Sequence, residues 1–333
     1  MKVFAVLVCF NNEAYIDECI GSFLRSSFPV GIVVVENASA DDSLKKLRKY
    51  GKQITILPQK ENLGFGIGNN LGAKYALDHG ADWILWQNMD TKIAPDCIEK
   101  LIRAAGTTGK DAIFSPFPMT YSNLPDLGFF ANALSPDSGE MEVRKFVADL
   151  YGRKTPAICY RSNLLAGASL FVSSEVLKKA GGFCELFFPA YYEDSELFQR
   201  YQYYGCRLFF VPEAVFYHDL ENRSGGRITY SHLLCGEAYY AALNPALSFS
   251  RTYGQSLLLR FLKSVLFFLS LNMPRFKEEF PAFLMLVFMW RRVRKWRKRV
   301  LNKESFGLKD SLDGVPFPIY LSKYRETSSR SVP

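Results

Sequence analysis

Four stretches of this chain carry residue types that can do chemistry. Asp90 ends the apolar run WILWQNMD. A carboxylate at a strand end either caps the next turn or offers the hard oxygen that a phosphate-bridging divalent cation takes. Glu193 and Asp194 open a helical pattern in AYYEDSELFQR, where paired acids favour the helix dipole. Phe187, Phe188, Tyr191 and Tyr192 stand just before them, and apolar flanks raise a carboxylate towards the pKa of a general base. Both readings of the pair stay open. His218 closes AVFYHDL beside Asp219, as a structural imidazole or as a metal ligand. The segment ENLGFGIGNNLGAKYA sets Gly64, Gly66, Gly68 and Gly72 ahead of and into a helix. It lacks the G-K-[ST] ending of a P-loop and does not match G-x-G-x-x-G. Its glycines permit close backbone approach to a ligand, and a helix N-terminus suits phosphate.

The elements around these groups read as an alternation of strand and helix. VFAVLVC at 3–9, GIVVVE, ITILPQ and ADWILWQN are apolar strand runs. Between them lie an amphipathic pattern with Ile16, Cys19, Ile20 and Phe23 on one face, and DDSLKKLRKYG with an acidic start and a Gly stop. Strands this apolar, separated by helices, predict an α/β fold with a mostly parallel sheet covered on both faces. Three strands end in polar groups: Asn11 to Glu13, Glu36 to Ser39, and Asn88 to Asp90. Ligands bind beyond the carboxyl ends of such strands. Residues 111–160, rich in Pro and Gly, read as a loop region over the sheet. Order returns with LLAGASLFVSSEVLKKAGGF as strand and helix, then YYEDSELFQRYQYYG as helix and RLFFVPEAVFYHDL as strands.

Composition bounds the rest. With 333 residues, 48% hydrophobic and 22% charged, the chain buries a sizeable core and is not a disordered protein. Seven of its Lys and Arg residues fall in RRVRKWRKR at 291–299, so the net charge of +8 is largely local. A nucleic-acid partner is not expected from that distribution. The seven cysteines have no metal-knuckle or redox spacing and read as buried thiols. MKVFAVLVCFNN reads as a first strand rather than a signal peptide. LLLRFLKSVLFFLSL and PAFLMLVFMW, within 257–290, are too short to span a bilayer. Followed by the basic run, they read as helices lying on an anionic leaflet, or as packing helices with a solvated basic end.

Taken in order, these pieces resemble the inverting family 2 glycosyltransferases of the Rossmann-like GT-A fold, especially the bacterial rhamnosyltransferase-like branch. The resemblance covers roughly residues 3–220. VLVCFNN and VVVENAS look like the segments that meet the nucleotide, which implies donor contacts at Phe10, Asn11, Glu13, Glu36 and Asn37. ENLGFGIGNNLG resembles the family's Asn- and Gly-rich segment, implicating Asn62, Gly64 and Asn70. QNMDT stands where the family has its metal motif, with Asn88 toward the donor and Asp90 on the metal. LAGASLFV, GGF, YYEDSELFQR and GCRLFFVPEAVFYH follow with the family's order and spacing. They make Asp194 the implied general base, Glu193 its neighbour and His218 a second metal ligand. Departures are Asn88-Met89-Asp90 in place of two acids, Glu36 for Asp, Cys184 for an acid, and one extra residue before Glu193.

The resemblance implies a GT-A domain at 1–225, with a nucleotide-sugar half at 1–110 and an acceptor half at 111–225. A helical, basic, membrane-associating region at 226–300 and a polar tail at 301–333 follow. It further implies a Mg²⁺ or Mn²⁺ ion, a UDP- or dTDP-linked donor, and a glycan or polyprenyl-diphosphate-linked acceptor in surface polysaccharide synthesis. The expected location is cytoplasmic, on the inner face of the cell membrane. The alternatives are a non-catalytic sugar-binding or scaffolding subunit and a sugar nucleotidyltransferase. The second would place its glycine-rich loop after the first strand, where NNEAY stands instead.

Overall fold

The computed structural model describes residues 1–129, 141–220 and 230–304. The polar tail beyond residue 304 lies outside the described residues. In the first half, strands β1 (Val3–Cys9), β2 (Val30–Glu36), β3 (Thr55–Pro58) and β4 (Trp83–Asn88) alternate with helices α1 (Ile16–Leu24), α2 (Ser43–Arg48) and α3 (Gly64–Asp78). β1 is buried along almost its whole length because helices cover both faces of the sheet. α1 turns Ile16, Cys19, Ile20 and Phe23 inward, as its spacing predicts. Short strand β5 (Thr91–Ile93) and helix α4 (Cys97–Thr108) follow.

The second half comprises β6 (Ala112–Thr120), α5 (Met141–Tyr151), β7 (Tyr160–Arg161), β8 (Ser169–Ser173), α6 (Ser174–Ala180), α7 (Glu193–Tyr203) and β9 (Arg207–His218). Together the strands form one nine-stranded sheet in the order β3-β2-β1-β4-β8-β6-β9-β5, with β7 pairing β9. The first four strands are parallel. β8 then runs antiparallel to both β4 and β6, and β9 returns parallel to β6. The parallel order expected from the strand–helix alternation thus describes the first half, and antiparallel pairings enter with the second.

The loop reading of 111–160 is corrected by β6 at its start, by α5 within it and by β7 at its end. AIFSPFPMT is a nine-residue strand despite Pro116 and Pro118. β8 pairs with β6 only at Ile113 and Phe114, so the prolines fall where no ladder donor is needed on that side. The register against β9 jumps from Pro116–Val211 to Phe117–Val215, which loops out Pro212 to Ala214 as a bulge. β9 is therefore one strand across its proline.

Two hydrophobic clusters cover the two faces of the sheet. A third joins the 3-10 turn at Glu185–Phe187 to the C-terminal helices α8 (Tyr230–Leu243), α9 (Phe249–Leu269) and α10 (Met273–Leu301). Val300 of α10 reaches the first of these clusters, so the helical extension is packed on the sheet domain. The seven cysteines form no disulfide.

The glycines of α3 have a packing role that differs from the expected one. A Cβ at Gly68 would stand 2.9 Å from a Val8 methyl, and one at Gly72 would stand 2.3 Å from a Val6 methyl. The helix axis lies this close to β1 because those positions lack side chains. Gly72→Ala should therefore cost about 1–3 kcal/mol of overpacking, read as a lower denaturation midpoint in urea. An unchanged midpoint would contradict that close approach.

Candidate active site

The carboxyl ends of β1 and β2 are tied into one wall. Asn11 adopts φ 54°, and its side-chain oxygen accepts from the Ala40 amide at 2.8 Å. Its own amide donates to Ser39 Oγ at 3.0 Å, and Ser39 N–H donates to Glu36 Oε1 at 2.7 Å. Phe10 is half-buried at this edge and Glu13 is exposed. Asn37 is buried, donates to Asn62 Oδ1 at 2.8 Å and accepts from Leu63 N–H at 2.9 Å. Phe10, Asn11, Glu13, Glu36, Asn37 and Asn62 thus meet at one end of the sheet, although Glu36 and Asn37 build the wall from inside.

The expected phosphate cradle before α3 is not formed. The amides of Leu63, Gly64 and Phe65 donate to Asn37, Asn62 and the Pro189 carbonyl, so protein acceptors take the groups a phosphate would use. Gly64 has φ 79°, and a Cβ there would stand 2.7 Å from the Phe188 ring. Asn70 is buried and engaged at both ends, accepting from Phe183 N–H and donating to Phe183 O. Gly64 and Asn70 hold the Phe183–Pro189 segment in place and present no group to a ligand.

β5 supplies the second wall. It pairs antiparallel with the end of β9, Thr91 opposite His218. That register sets Asp90 Oδ1 3.5 Å from His218 Nε2, with the two side chains 17% and 16% exposed. Asp219 N–H donates to the Asp90 carbonyl at 3.1 Å, and Tyr15 O–H donates to Asp219 Oδ2 at 3.1 Å. Burial, then the bond to Asp219, pushes the Tyr15 phenol up to about 12, so it stays a donor. Behind Asp90, Thr91 Oγ1 donates to the Asn88 carbonyl, and Asn88 N–H donates to Ala168 O at 2.9 Å. Among the described residues no group of three or more His, Cys, Asp or Glu forms a closed metal site. A carboxylate and an imidazole together, with access to a cleft, suit a divalent cation whose other ligands are phosphate and water.

The third wall is the start of α7. Tyr191 and Tyr192 enter it at φ 82° and 70°, a left-handed pair that turns the chain sharply into Glu193. Asp194 Oδ1 accepts from Ser195 N–H at 2.6 Å and from Ser195 Oγ at 3.3 Å. Its Oδ2 lies against Gly167, where a Cβ would stand 2.4 Å away. Gly167 in turn lines a cleft of about 390 Å³ with Ala166, Ala168, Asp126, Phe216 and His218. His218 thus borders the cavity directly, and Asp194 packs against Gly167 of its wall. Burial raises the Asp194 carboxyl, and the Ser195 bonds oppose that shift.

Glu193 is 7% exposed, and its Oε2 has no partner among the described residues. Burial, reinforced by the Asp194 charge, pushes it up to about 8. The helix that carries both acids is anchored by a buried pair, Arg200 to Glu196 at 2.8 Å. Arg200 also donates to the carbonyls of Ala180 and Gly182, and Tyr201 O–H donates to Gly181 O at 2.7 Å. The sequence reading missed Gly167 and Tyr15 as parts of the site. The signal for Gly167 was the small run Ala166-Gly167-Ala168 before an apolar strand, which marks close approach of another group.

The nine-stranded mixed sheet, with a cleft that His218 and Gly167 line, has the fold of known sugar-transferring enzymes. Residues 4–133 match the model of the family described as Glycosyl transferase family 2. The chain is 25% identical over 249 residues to the N-acetylglucosaminyl-diphospho-decaprenol L-rhamnosyltransferase of Mycobacterium tuberculosis, covering 68% of this chain and 79% of that one. Over 108 residues it is 33% identical to an uncharacterized glycosyltransferase of Haemophilus influenzae, covering 29% of this chain and 31% of that one. Among solved structures, S. aureus TarS 1-349 in complex with UDP-GlcNAc superposes with a TM-score of 0.55 at 16% identity, covering 98% of this chain and 92% of that one. GalNAc-T7 with UDP, GalNAc and Mn²⁺ gives 0.54 at 17% identity, covering 75% and 52%. The fold is therefore the GT-A fold. The chain is a glycosyltransferase whose residues 4–133 resemble family 2.

The pH behaviour of Glu193 gives a test of its environment. Its carboxyl titrates near 4.5 when unfolded and near 8 when folded. Between those values the folded state holds more protons, so stability falls as pH rises through that window. Glu193→Gln removes the effect. In urea unfolding at pH 5 and pH 8, the variant should gain on the wild type by up to a few kcal/mol at the higher pH. Parallel stabilities at both pH values would contradict the buried, unpartnered carboxyl.

Proposed function

We propose that the chain transfers a sugar, rhamnose or another hexose, from a UDP- or dTDP-linked donor to a glycan hydroxyl with inversion. The acceptor is a polyprenyl-diphosphate-linked glycan of surface polysaccharide synthesis, met at the inner face of the cell membrane. The observation that carries the reading is the seat of Asp194, whose carboxylate lies against Gly167, a residue of the cleft that His218 also lines. The Mycobacterium relative's name supports a lipid-linked acceptor, and the TarS complex supports a nucleotide-sugar donor.

In this mechanism Phe10, Asn11 and Glu13 meet the nucleotide at the exposed edge, while Glu36, Asn37 and Asn62 hold that edge in shape. Asn88 borders the donor through the strand end that also carries Asp90. Asp90 and His218 would hold Mg²⁺ or Mn²⁺, which supplies charge neutralisation for the departing diphosphate. Mn²⁺ in the GalNAc-T7 structure supports that choice of ion. Asp194 accepts the proton of the attacking hydroxyl through Oδ2, since Ser195 engages Oδ1. Its raised pKa strengthens it as a base. Burial and the Asp194 charge push Glu193 up to about 8, so Glu193 is the member of the pair that favours its proton.

Asp194→Asn keeps the shape and removes the base. Turnover should fall by about 10²–10⁴, with donor affinity within about twofold by calorimetry. Turnover equal to the wild type would overturn the assignment of Asp194.

A further inference from the structure

A surface helix in water turns its apolar face inward and its charges outward, and α9 does the reverse from Leu258 onward. Its packed face carries Arg260 and Ser264, both buried. Its outer face carries Leu258, Leu262, Leu266 and Leu269, which are 57%, 54%, 60% and 73% exposed. The charges sit between helices. Arg260 reaches Glu279 of α10 at 3.0 Å and Glu237 of α8 at 3.8 Å, and Lys263 lies 3.9 Å from Glu279. This ion cluster holds the two helices together with hydrocarbon on the outside.

The outer face of α10 changes character along its length. Phe280, Val287 and Phe288 are exposed on its first half. Seven residues beyond Val287 and Phe288 stand Arg294 and Lys295, and residues at that spacing share a helix face. Arg291, Arg294, Lys295 and Lys298 are all exposed. Val293 and Arg297 turn inward instead, Arg297 donating to the carbonyls of Ala242, Asn244 and Leu247. One stripe thus runs from apolar to basic.

We propose that the outer faces of α9 and α10 form a lipid-binding surface. The leucines and phenylalanines enter the boundary between headgroups and acyl chains, and Arg291, Arg294, Lys295 and Lys298 meet anionic lipid phosphates. Among the described residues no helix is long and apolar enough to cross a membrane, so the hairpin lies along the leaflet. A second copy of this chain is the disfavoured occupant, because a contact through the same face brings two basic stripes into one interface. The surface rests on the lipid-linked-acceptor reading for its purpose, since it brings the cleft to where such an acceptor is held.

The test uses the full chain in sedimentation with phosphatidylcholine vesicles, with and without phosphatidylglycerol. Two variants accompany it, L262Q/L266Q/F288Q and R291Q/R294Q/K295Q/K298Q, with unfolding midpoints to show that both fold. The wild type should bind the anionic vesicles, and each variant should bind about tenfold or more weakly. The basic variant should also lose most of the salt dependence. Wild type that stays off the vesicles, or variants that bind as well as wild type, would overturn the proposal. So would a wild-type dimer in light scattering that only the apolar variant dissolves, with no vesicle binding. Transfer to a detergent-dispersed polyprenyl-diphosphate-linked glycan, run in parallel without vesicles, keeps the two readings apart. Vesicle binding lost with transfer intact defeats the surface alone, and transfer absent with vesicle binding intact defeats the acceptor reading alone.

Discussion

Three residues of strand, Thr91 to Ile93, connect the two halves of the site. Without β5 on the edge of β9, Asp90 would be a strand-end acid in one half of the chain and His218 a lone imidazole in the other. Their antiparallel pairing sets Thr91 opposite His218 and draws the acid and the imidazole to 3.5 Å. The same junction lets Asp219 N–H bond the Asp90 carbonyl and brings Tyr15, from α1, onto Asp219. A short strand is a weak element by itself, and here the hydrogen bonds of Thr91 and Asn88 behind it supply the stiffness.

A second constraint places the carboxylates. α7 is fixed from its middle by Arg200 and Glu196, and from there to the carbonyls of Ala180 and Gly182. That anchoring allows the left-handed tyrosines at its start and presses Asp194 onto Gly167. Two neighbouring acids then meet different surroundings. Asp194 has Ser195 to stabilise its charge, whereas Glu193 Oε2 has no partner among the described residues and favours its proton. Burial raises both carboxyls, and the Ser195 bonds oppose that shift at Asp194 alone.

Much of the first half was legible because buried parallel strands and amphipathic helices write their periodicity plainly, as VFAVLVC and the Ile16–Phe23 pattern do. The acids and the histidine were legible as types and in order. Their convergence was not, because it depends on the register of β5 against β9. β6 was hidden by prolines that only one-sided pairing tolerates. The glycine segment misled for a related reason: glycine reports close approach without saying to what. Here the neighbours are Val6, Val8 and Phe188 rather than a phosphate. In α9 the apolar residues were plain in sequence, but the inward turn of Arg260 depends on Glu279 and Glu237 from other helices.

We propose that Asp90 and His218 form one cation-dependent diphosphate site beside the cleft. Calorimetric binding of UDP and dTDP, each with and without Mn²⁺, to the wild type and to Asp90→Asn tests it most directly. Mn²⁺ should tighten one of these nucleotides by roughly tenfold, about 1.4 kcal/mol, in the wild type and not in the variant. Tightening of the same size in Asp90→Asn would contradict it.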